Sequence, residues 1–237
     1  MIGAAGSQTR RNLHGRRHGH RLRPRQRDLL ARHLPSIEVK LPEDGRCIDP
    51  TTLFSGAVDE VWLEVGFGGG EHLAAQAAAH PAHGMIGCEP FINGVARLIT
   101  ACHEKQLNNV RVFVDDARQL LDALPDGCLT RIFILFPDPW PKRRHQKRRF
   151  VSASGAMELA RVLRDNGELR IATDHAEFCR WALFYVLSNG SFGWTAIAPR
   201  DWRERDESAP ETRYERKAVA AGRRPTYLSF VRSARGP

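Results

Sequence analysis

VWLEVGFGGGE, at residues 61–71, joins a short apolar run to a glycine-rich turn. The run at residues 61–65 predicts a buried strand, and the apolar spacing of residues 71–79 predicts a helix. Glycines in such a turn permit positive φ angles and let the backbone approach a ligand closely. They stand at positions 66, 68 and 70, and Glu71 takes the place of the third glycine in the Rossmann dinucleotide pattern. The turn alone leaves a dinucleotide, a phosphate or no ligand open.

Outward from this unit, apolar runs alternate with helical patterns along the chain. The alternation predicts a Rossmann-like α/β fold: a mostly parallel seven-stranded sheet with an antiparallel C-terminal edge and helices on both faces. Strands are predicted at residues 61–65, 85–88, 110–114, 131–135, 168–172, 194–198 and 226–231. Helices are predicted at residues 71–79, 92–105, 117–121, 154–163 and 176–187. Ligands of such a sheet bind at the carboxyl ends of its strands.

Acidic residues mark the ends of three successive predicted strands: Glu64, Glu89 and Asp116. A carboxylate after the second strand can accept hydrogen bonds from both hydroxyls of a ribose, as in NAD and S-adenosylmethionine enzymes. Asp116 suits an adenine amino group. Glu64 suits a cofactor with an ammonium and a sulfonium, because it would repel a pyrophosphate. We therefore predict a sulfonium cofactor rather than a dinucleotide. The alternative is that each acid only caps the helix that follows it.

A single carboxylate, Asp138, lies between two prolines in FPDPWP at residues 136–141, after the fourth predicted strand. Prolines fix φ and remove backbone donors, so this loop holds its acid in one place. Six Lys or Arg follow within residues 142–149. Taken separately, the two features are a common turn signature and a solvated charged face. Together, at the end of a parallel strand, they indicate chemistry on a polyanion.

The net charge of +9 is concentrated in two segments. One is the basic run at 142–149, and the other is residues 10–32, with nine arginines against one acid, Asp28. This distribution suits a phosphate backbone better than a small substrate. We expect residues 1–33 to form a basic, partly disordered arm, with at least the first ten residues disordered, and residues 34–237 to form one α/β domain.

Membrane insertion and secretion are not predicted. Residues 1–35 lack a long apolar region, and no stretch approaches the roughly 20 apolar residues of a spanning helix. The five cysteines are widely spaced, with no Cys-x-x-Cys pair and no histidine at zinc-ligand spacing: Cys47, Cys88, Cys102, Cys128 and Cys179. We expect a soluble cytoplasmic protein with reduced thiols and neither a metal nor a membrane partner.

With these features together, the chain resembles the bacterial tRNA (guanine-N7-)-methyltransferase family, a class I S-adenosylmethionine-dependent group. The resemblance covers roughly residues 15–232. Its most specific part is PDPWPKRRHQKRR at residues 137–149, and Thr173-Asp174 and residues 212–215 also match. It implies methyl transfer from S-adenosyl-L-methionine to N7 of guanine 46 in the variable loop of tRNA. Whether the enzyme is a monomer or a homodimer stays open.

The resemblance also implies roles for individual residues. Those matching cofactor-binding positions are Glu64, Glu89, Asp116 and Asp138, and the glycines at 66, 68 and 70 (Gly66, Gly68, Gly70) join them as the ligand-binding turn. Asp138 is in addition the implied catalytic residue. Those matching tRNA-binding positions are Lys142, Asp174, Thr212, Arg213, Tyr214 and Glu215.

The chemistry of the implied reaction needs no general base, because guanine N7 carries a lone pair and no proton. Proximity, in-line alignment and a fixed negative charge are sufficient, and Asp138 is the candidate for that charge. Trp140 is expected either to stack on the base or to anchor its loop. Phosphate contacts are expected mostly from the cations Lys142, Arg143, Lys147, Arg148 and Arg149. Residues 212–215 are expected to form a polar clamp over the guanine or a solvated turn.

Three other functions remain open from the sequence. The cofactor residues do not exclude a methyltransferase of the same fold that acts on ribosomal RNA or on another guanine. An RNA-binding module with a vestigial cofactor pocket would carry the same basic segments. A nicotinamide-dependent oxidoreductase is the last alternative, since the ribose-binding acid is common to both cofactor classes.

Overall fold

A seven-stranded mixed sheet forms the centre of the protein in the computed structural model, which describes residues 15–236. The strand order is β3-β2-β1-β4-β5-β7-β6. The strands are β1 Val61–Val65, β2 Gly84–Cys88, β3 Val110–Phe113, β4 Leu129–Leu135, β5 Leu163–Thr173, β6 Phe192–Trp194 and β7 Thr226–Arg232. The first five pair in parallel, while β7 pairs antiparallel with both β5 and β6. This confirms the predicted fold class.

Helices cover both faces of the sheet. Those of the described residues are α1 Pro24–Ile37, α2 Glu71–Ala79, α3 Ile92–Lys105, α4 Ala117–Asp122, α5 Ala153–Val162, α6 Ala176–Ser188, α7 Arg200–Arg203 and α8 Arg213–Ala220. Two 3₁₀ helices are Pro50–Leu53 and Arg143–Arg148. Within residues 15–236, no helix is both long enough and apolar enough to cross a membrane.

The apolar core lies in two layers, one on each side of the sheet. Along β1, Leu63 belongs to the layer under α5 and α6, while its neighbour Trp62 belongs to the layer under α1, α2 and α3. Both residues are almost fully buried. A central parallel strand is covered on both faces, so it reads as a continuous apolar run instead of an alternating one. That rigid strand delivers the glycine-rich turn to the sheet edge.

The sixth strand departs from the prediction. It spans Phe192–Trp194 and not residues 194–198. Farther on, the backbone N–H groups of Ile197 and Ala198 both donate to the Asp201 carboxylate at the start of α7, at 2.9 and 2.8 Å. These donors are therefore unavailable to a sheet, and the apolar residues that suggested a strand lie in a capping turn; Ile197 is 97% exposed.

The N-terminal part of the described chain contains an ordered helix. Leu29 of α1 is buried against the layer formed by α2 and α3, and Leu34 and Ile37 pack beside it. The boundary predicted between residues 33 and 34 falls inside this helix. The disorder expected for the first ten residues concerns residues outside the described range.

Candidate active site

A cavity of about 900 Å³ opens at the carboxyl ends of β1, β2 and β4. It brings together six residues that the sequence singled out: Gly66, Gly68, Glu89, Asp116, Asp138 and Tyr214. They come from five separate segments of the chain, which only the parallel sheet and α8 bring to one place. Glu64, Gly70, Asp174 and Lys142 are not in its wall.

The glycine-rich turn has left-handed backbone at Gly66, Gly68 and Gly70, with φ angles of 71°, 57° and 78°. Non-glycine residues are strained at such angles, which explains the alternate glycines. The side chain of Tyr214 packs on this turn: a Cβ placed on Gly68 would lie 2.7 Å from the tyrosine Cε2. The turn therefore contributes to the cavity wall and also contacts the first turn of α8.

Glu89 links the glycine-rich turn to α3. One carboxylate oxygen accepts a hydrogen bond from Gly68 N at 2.8 Å, and the other accepts from Phe91 N at 3.0 Å. Burial raises the pKa of Glu89, the two backbone donors oppose this rise, and the nearby charges of Asp138 and Glu64 add to it. The carboxylate retains acceptor capacity toward the cavity beyond these two bonds.

Asp116 caps α4 and also borders the cavity. Its carboxylate accepts from the backbone N–H of Arg118 at 3.0 Å and pairs with the same residue's guanidinium at 3.0 Å. The other guanidinium nitrogen of Arg118 donates to the backbone oxygen of Arg149 at 3.2 Å. The helix-capping role considered from the sequence is thus present, and Arg118, which no sequence pattern indicated, ties this acid to the end of the basic run.

Glu64 lies apart from the cavity. Strand alternation places the neighbouring Val65 in the cavity wall, while Glu64 points toward the opposite face and is 2% exposed. Its Oε2 lies 2.7 Å from Nδ1 of His72, which is equally buried and packs edge-on against Phe133. The structure therefore pairs Glu64 with a histidine of α2 and does not bring it into contact with the cavity.

The loop that carries Asp138 is strained at both ends. Phe136 and Trp140 have positive φ angles of 50° and 41°, which non-glycine residues rarely adopt. Between them, two prolines restrict the backbone on either side of the exposed Asp138. Such strain persists only where surrounding contacts impose the conformation, and it is concentrated at functional sites. One of these contacts is the bond from Phe136 N to the Ala172 carbonyl oxygen at 2.8 Å.

The basic run forms a 3₁₀ helix beside this loop. Four of its cations are exposed: Lys142, Arg143, Arg144 and Lys147. Arg149 is not, since it is 1% exposed and hydrogen-bonded within the protein. The expectation that Arg149 contacts phosphate is therefore wrong, because its guanidinium is covered.

Trp140 has contacts inside its own loop. The Arg148 guanidinium lies 4.8 Å from the centroid of its ring, and His145 packs edge-on against the same ring at 5.8 Å. The indole also lines the cavity. These contacts anchor the basic run to the Asp138 loop, which is one of the two roles considered from the sequence.

Residues 212–215 begin α8. Thr212 caps the helix by accepting a hydrogen bond from Glu215 N at 3.1 Å. The buried carboxylate of Glu215 accepts from Arg205 at 3.0 Å and from the Tyr227 hydroxyl at 2.7 Å, and burial raises the pKa of Tyr227. The segment is the first turn of a helix, neither a free clamp nor a solvated turn. Tyr214 alone of this segment reaches the cavity wall, while Thr212 and Glu215 line a second cavity of about 460 Å³.

The two remaining residues predicted for tRNA binding lie on the surface. Asp174, after β5, accepts a hydrogen bond from Arg223 at 2.6 Å. Arg213 is exposed on the first turn of α8. Neither lines the cavity, and both are accessible to a large substrate that covers the sheet edge.

Metal ligation has no candidate among residues 15–236, where no cluster of three or more His, Cys, Asp or Glu is suited to a metal ion. All five cysteines lie in this range and are free thiols. The chemical groups at the cavity are therefore carboxylates, backbone N–H groups of the glycine-rich turn, aromatic rings and the neighbouring cations.

Comparison with known proteins gives close relatives over most of the chain. A family described as putative methyltransferase matches residues 59–228. A tRNA (guanine-N(7)-)-methyltransferase of Rhodospirillum rubrum is 50% identical over 225 residues, covering 94% of this chain and 88% of that protein. One of Rhodopseudomonas palustris is 45% identical over 236 residues, covering 99% and 93%. One of Zymomonas mobilis is 44% identical over 224 residues, covering 94% and 95%.

Solved structures give more distant matches. An antibiotic-related methyltransferase has a TM-score of 0.55 at 17% identity and covers 84% of this chain and 97% of its own. A 16S rRNA methyltransferase has a TM-score of 0.54 at 19% identity, with 75% and 89% covered. These likenesses show the class I methyltransferase fold and nothing finer. The sequence matches go further and confirm the resemblance seen in the motifs: the chain belongs to the tRNA (guanine-N(7)-)-methyltransferase family.

Proposed function

We propose that the protein transfers a methyl group from S-adenosyl-L-methionine to N7 of guanine 46 in the variable loop of tRNA. One observation carries the proposal. The proline-restricted loop holds Asp138 at the same cavity that the glycine-rich turn, Glu89 and Asp116 enclose. The proposed site for the methyl donor is thus adjacent to the fixed charge of Asp138. The exposed cations of the basic run lie next to both.

The residues fit S-adenosyl-L-methionine. The cavity volume of about 900 Å³ accommodates a nucleoside with an amino-acid tail. Glu89 would accept from the ribose hydroxyls, the glycine-rich turn would lie against the amino-acid end, and Asp116 would face the adenine. Glu64 does not line the cavity, but its negative charge behind the glycine-rich turn would attract the cationic cofactor. When bound, the cofactor supplies an electrophilic methyl group on a sulfonium.

A solved structure of the same fold supports this methyl donor: a 16S rRNA (adenine(1408)-N(1))-methyltransferase with cosubstrate SAM has a TM-score of 0.53 at 14% identity. The carboxylates at the cavity also favour a cation over a pyrophosphate, which is the group that a nicotinamide dinucleotide would place at the glycine-rich turn. Binding of S-adenosylhomocysteine, and no binding of NAD, is the expected calorimetric result.

The role proposed for Asp138 follows from the chemistry of guanine. As N7 is alkylated, the purine becomes cationic, and a carboxylate held near it stabilises that charge. The same carboxylate can accept from the N1–H or N2–H of guanine and orient the ring. No proton is removed from N7, so the acid needs to be fixed in place more than it needs a particular basicity.

The RNA is expected to lie over the exposed cations of the basic run, which would contact phosphates without reading sequence. Asp174 and Arg213 are proposed to contact the tRNA at the same sheet edge, and Tyr214 to contact the base. We place the enzyme in the cytoplasm with its tRNA substrate, and its oligomeric state can be measured by sedimentation in the presence and absence of tRNA.

Mapping the methylated base tests the proposal. The enzyme is incubated with an unmodified tRNA transcript and labelled S-adenosyl-L-methionine, and 7-methylguanine is located by borohydride reduction and aniline cleavage. Cleavage at position 46, lost in a transcript with adenine at 46, is the expected result. Label elsewhere in tRNA, or only in ribosomal RNA, would show that the substrate is a different base from the one proposed. No transfer to any RNA would favour the alternative of an RNA-binding module with a vestigial cofactor pocket.

A further inference from the structure

Arg149, the last residue of the basic run, is buried beneath the Asp138 loop. Its Nε donates to the carbonyl oxygen of Pro139 at 2.8 Å, and its Nη2 donates to the carbonyl oxygen of Trp140 at 3.2 Å. The side chain has no exposed area. Both acceptors belong to the two residues that follow Asp138, so this guanidinium holds the C-terminal half of the loop from below.

The guanidinium is itself held from the other side by α6. Its Nη2 donates to Glu177 Oε1 at 2.8 Å, and its Cζ lies 4.4 Å from the ring centroid of Trp181. Trp181 in turn donates from its indole nitrogen to the Val151 carbonyl oxygen at 2.7 Å. The hydrogen bond and the positive charge of Arg149 lower the pKa of Glu177, which keeps this partner anionic at neutral pH.

Among the described residues, the Asp138 carboxylate has no hydrogen-bonding support of its own. No group of residues 15–236 donates a hydrogen bond to its carboxylate, and the residue is exposed. The position of the carboxylate is therefore set by the backbone. That backbone is strained at Trp140, where φ is 41°, and a strained loop relaxes when the contacts that impose it are removed.

We propose that Arg149 is a positioning residue for Asp138, with Glu177 as the anchor that fixes the guanidinium. The inference rests on the function proposed above for Asp138. The planar guanidinium donates in fixed directions to two successive carbonyls and to a carboxylate at once. A lysine ammonium carries the same charge but lacks this geometry. Arg149 thus acts through the loop, in contrast to the exposed cations that precede it.

Steady-state kinetics of matched variants distinguish a positioning role for Arg149 from direct contact with tRNA phosphates. Arg149→Lys is expected to lower kcat by about 10- to 100-fold, the range for a reacting group displaced by an ångström or less, with KM for tRNA changed by less than about twofold. Arg143→Gln, which removes an exposed cation of the same run, is the control: KM for tRNA rises and kcat stays within about twofold. An increase in KM without loss of kcat for Arg149→Lys would indicate that Arg149 contacts RNA phosphates directly, and it would overturn the proposal.

Glu177→Gln guards against misfolding of the buried variant, because the Glu177 side chain is 40% exposed. Loss of the ionic partner is expected to reduce kcat about threefold or more while the melting temperature and the affinity for S-adenosylhomocysteine are retained. An unchanged kcat for both Glu177→Gln and a folded Arg149→Lys would contradict the proposed coupling.

A double-mutant cycle with Asp138→Asn tests whether Arg149 acts through Asp138. Single-turnover rates with excess enzyme are measured for the two single variants and the double variant. If the positioning role is right, Arg149→Lys has almost no further effect in the Asp138→Asn background. Full multiplication of the two losses would overturn it. A wild-type rate for Asp138→Asn alone would instead reject the proposed role of Asp138, and absence of methylation by the wild type would reject the proposed function.

Discussion

Helix α3 begins in direct contact with the glycine-rich turn: a Cβ on Gly94 would lie 2.0 Å from the carbonyl oxygen of Gly68. No real Cβ can occupy that position, so the missing side chain of Gly94 is what lets the turn lie against α3. The same turn receives the Glu89 hydrogen bond at Gly68 N. The close approach and the hydrogen bond together fix the backbone at the cofactor end of the cavity.

Gly94→Ala is therefore expected to displace the turn. Alanine improves helix propensity by about 1 kcal/mol, but overpacking typically costs about 1–3 kcal/mol and the clashing atom is backbone. We expect affinity for S-adenosylhomocysteine to fall about tenfold or more, as measured by calorimetry. Gly56→Ala is the control, because no atom lies within 4 Å of its added Cβ, and it should bind like the wild type. Equal affinities for the two variants would show that the turn shifts freely.

Asp138→Ala is expected to lower the methylation rate by about 100-fold or more, since a preorganised charge at a reacting centre contributes on this scale. Cofactor affinity should change far less, because Glu89 and the glycine-rich turn are untouched. Rapid-quench rates with tRNA and calorimetric titration with S-adenosylhomocysteine measure the two quantities. A rate near that of the wild type would remove Asp138 from the reaction.

Acidification should weaken cofactor binding at a pH above the ordinary Glu value of 4.5, because burial raises the pKa of Glu89 and its neutral form accepts fewer hydrogen bonds. Acidification has the opposite effect on the contribution of Glu89 to folding stability. The folded state binds this proton more tightly than the unfolded state, so the contribution of Glu89 to stability increases as the pH falls through that window. Affinity titrations between pH 8 and pH 5 measure the first effect. In Glu89→Gln the dependence should disappear; if it persists, another group causes it.

Binding of tRNA should weaken steeply with salt through the exposed cations of the basic run. Removing one phosphate contact, as in Lys142→Gln, reduces the slope of log K against log salt by about 0.7–0.9. Arg149→Gln should leave this slope unchanged, since the buried guanidinium releases no counterion. Filter binding across a salt series gives both slopes, and a reduced slope for the Arg149 variant would contradict its burial.

Alkylation at pH 8 should modify Cys47 alone in the native protein. Cys47 is exposed, whereas burial raises the pKa of Cys102 and Cys128 to about 12 and that of Cys88 and Cys179 above the usual range. Thiolate is the reactive form, so the covered thiols remain inert. Mass spectrometry after brief treatment with iodoacetamide should find one adduct, and five after denaturation. Rapid native labelling of Cys102 would indicate that α3 opens readily.

The first five strands were predicted because buried parallel strands are largely apolar runs, and a glycine or a carboxylate follows shortly after each run. Because ligands of a parallel sheet bind at the carboxyl ends of its strands, Glu89, Asp116 and Asp138 could be predicted to lie near one another, and all three line one cavity. Helix α1 was not predicted because arginines on its exposed side dominate its composition, while its apolar contacts come from Leu29, Leu30, Leu34 and Ile37.

Burial of polar residues was the part that pattern alone did not predict. Arg149 stands among five similar cations, and only the packing of α6 shows that it is covered. Glu64 lies before a glycine-rich turn, yet strand alternation turns it toward His72. Both cases depend on which face of an element a side chain occupies, and that is decided by tertiary packing and not by local residue type.

The place of β7 between β5 and β6 has a consequence for synthesis on the ribosome. Among the described residues, β6 pairs with β7 and with no other strand. A nascent chain can therefore assemble the first five strands early, but β6 has nothing to pair with until residue 232 has left the exit tunnel. Helix α8 supplies Tyr214 to the cavity, and its Glu215 accepts a hydrogen bond from Tyr227 of β7, so this part of the site has its full set of contacts only after β7 has joined the sheet.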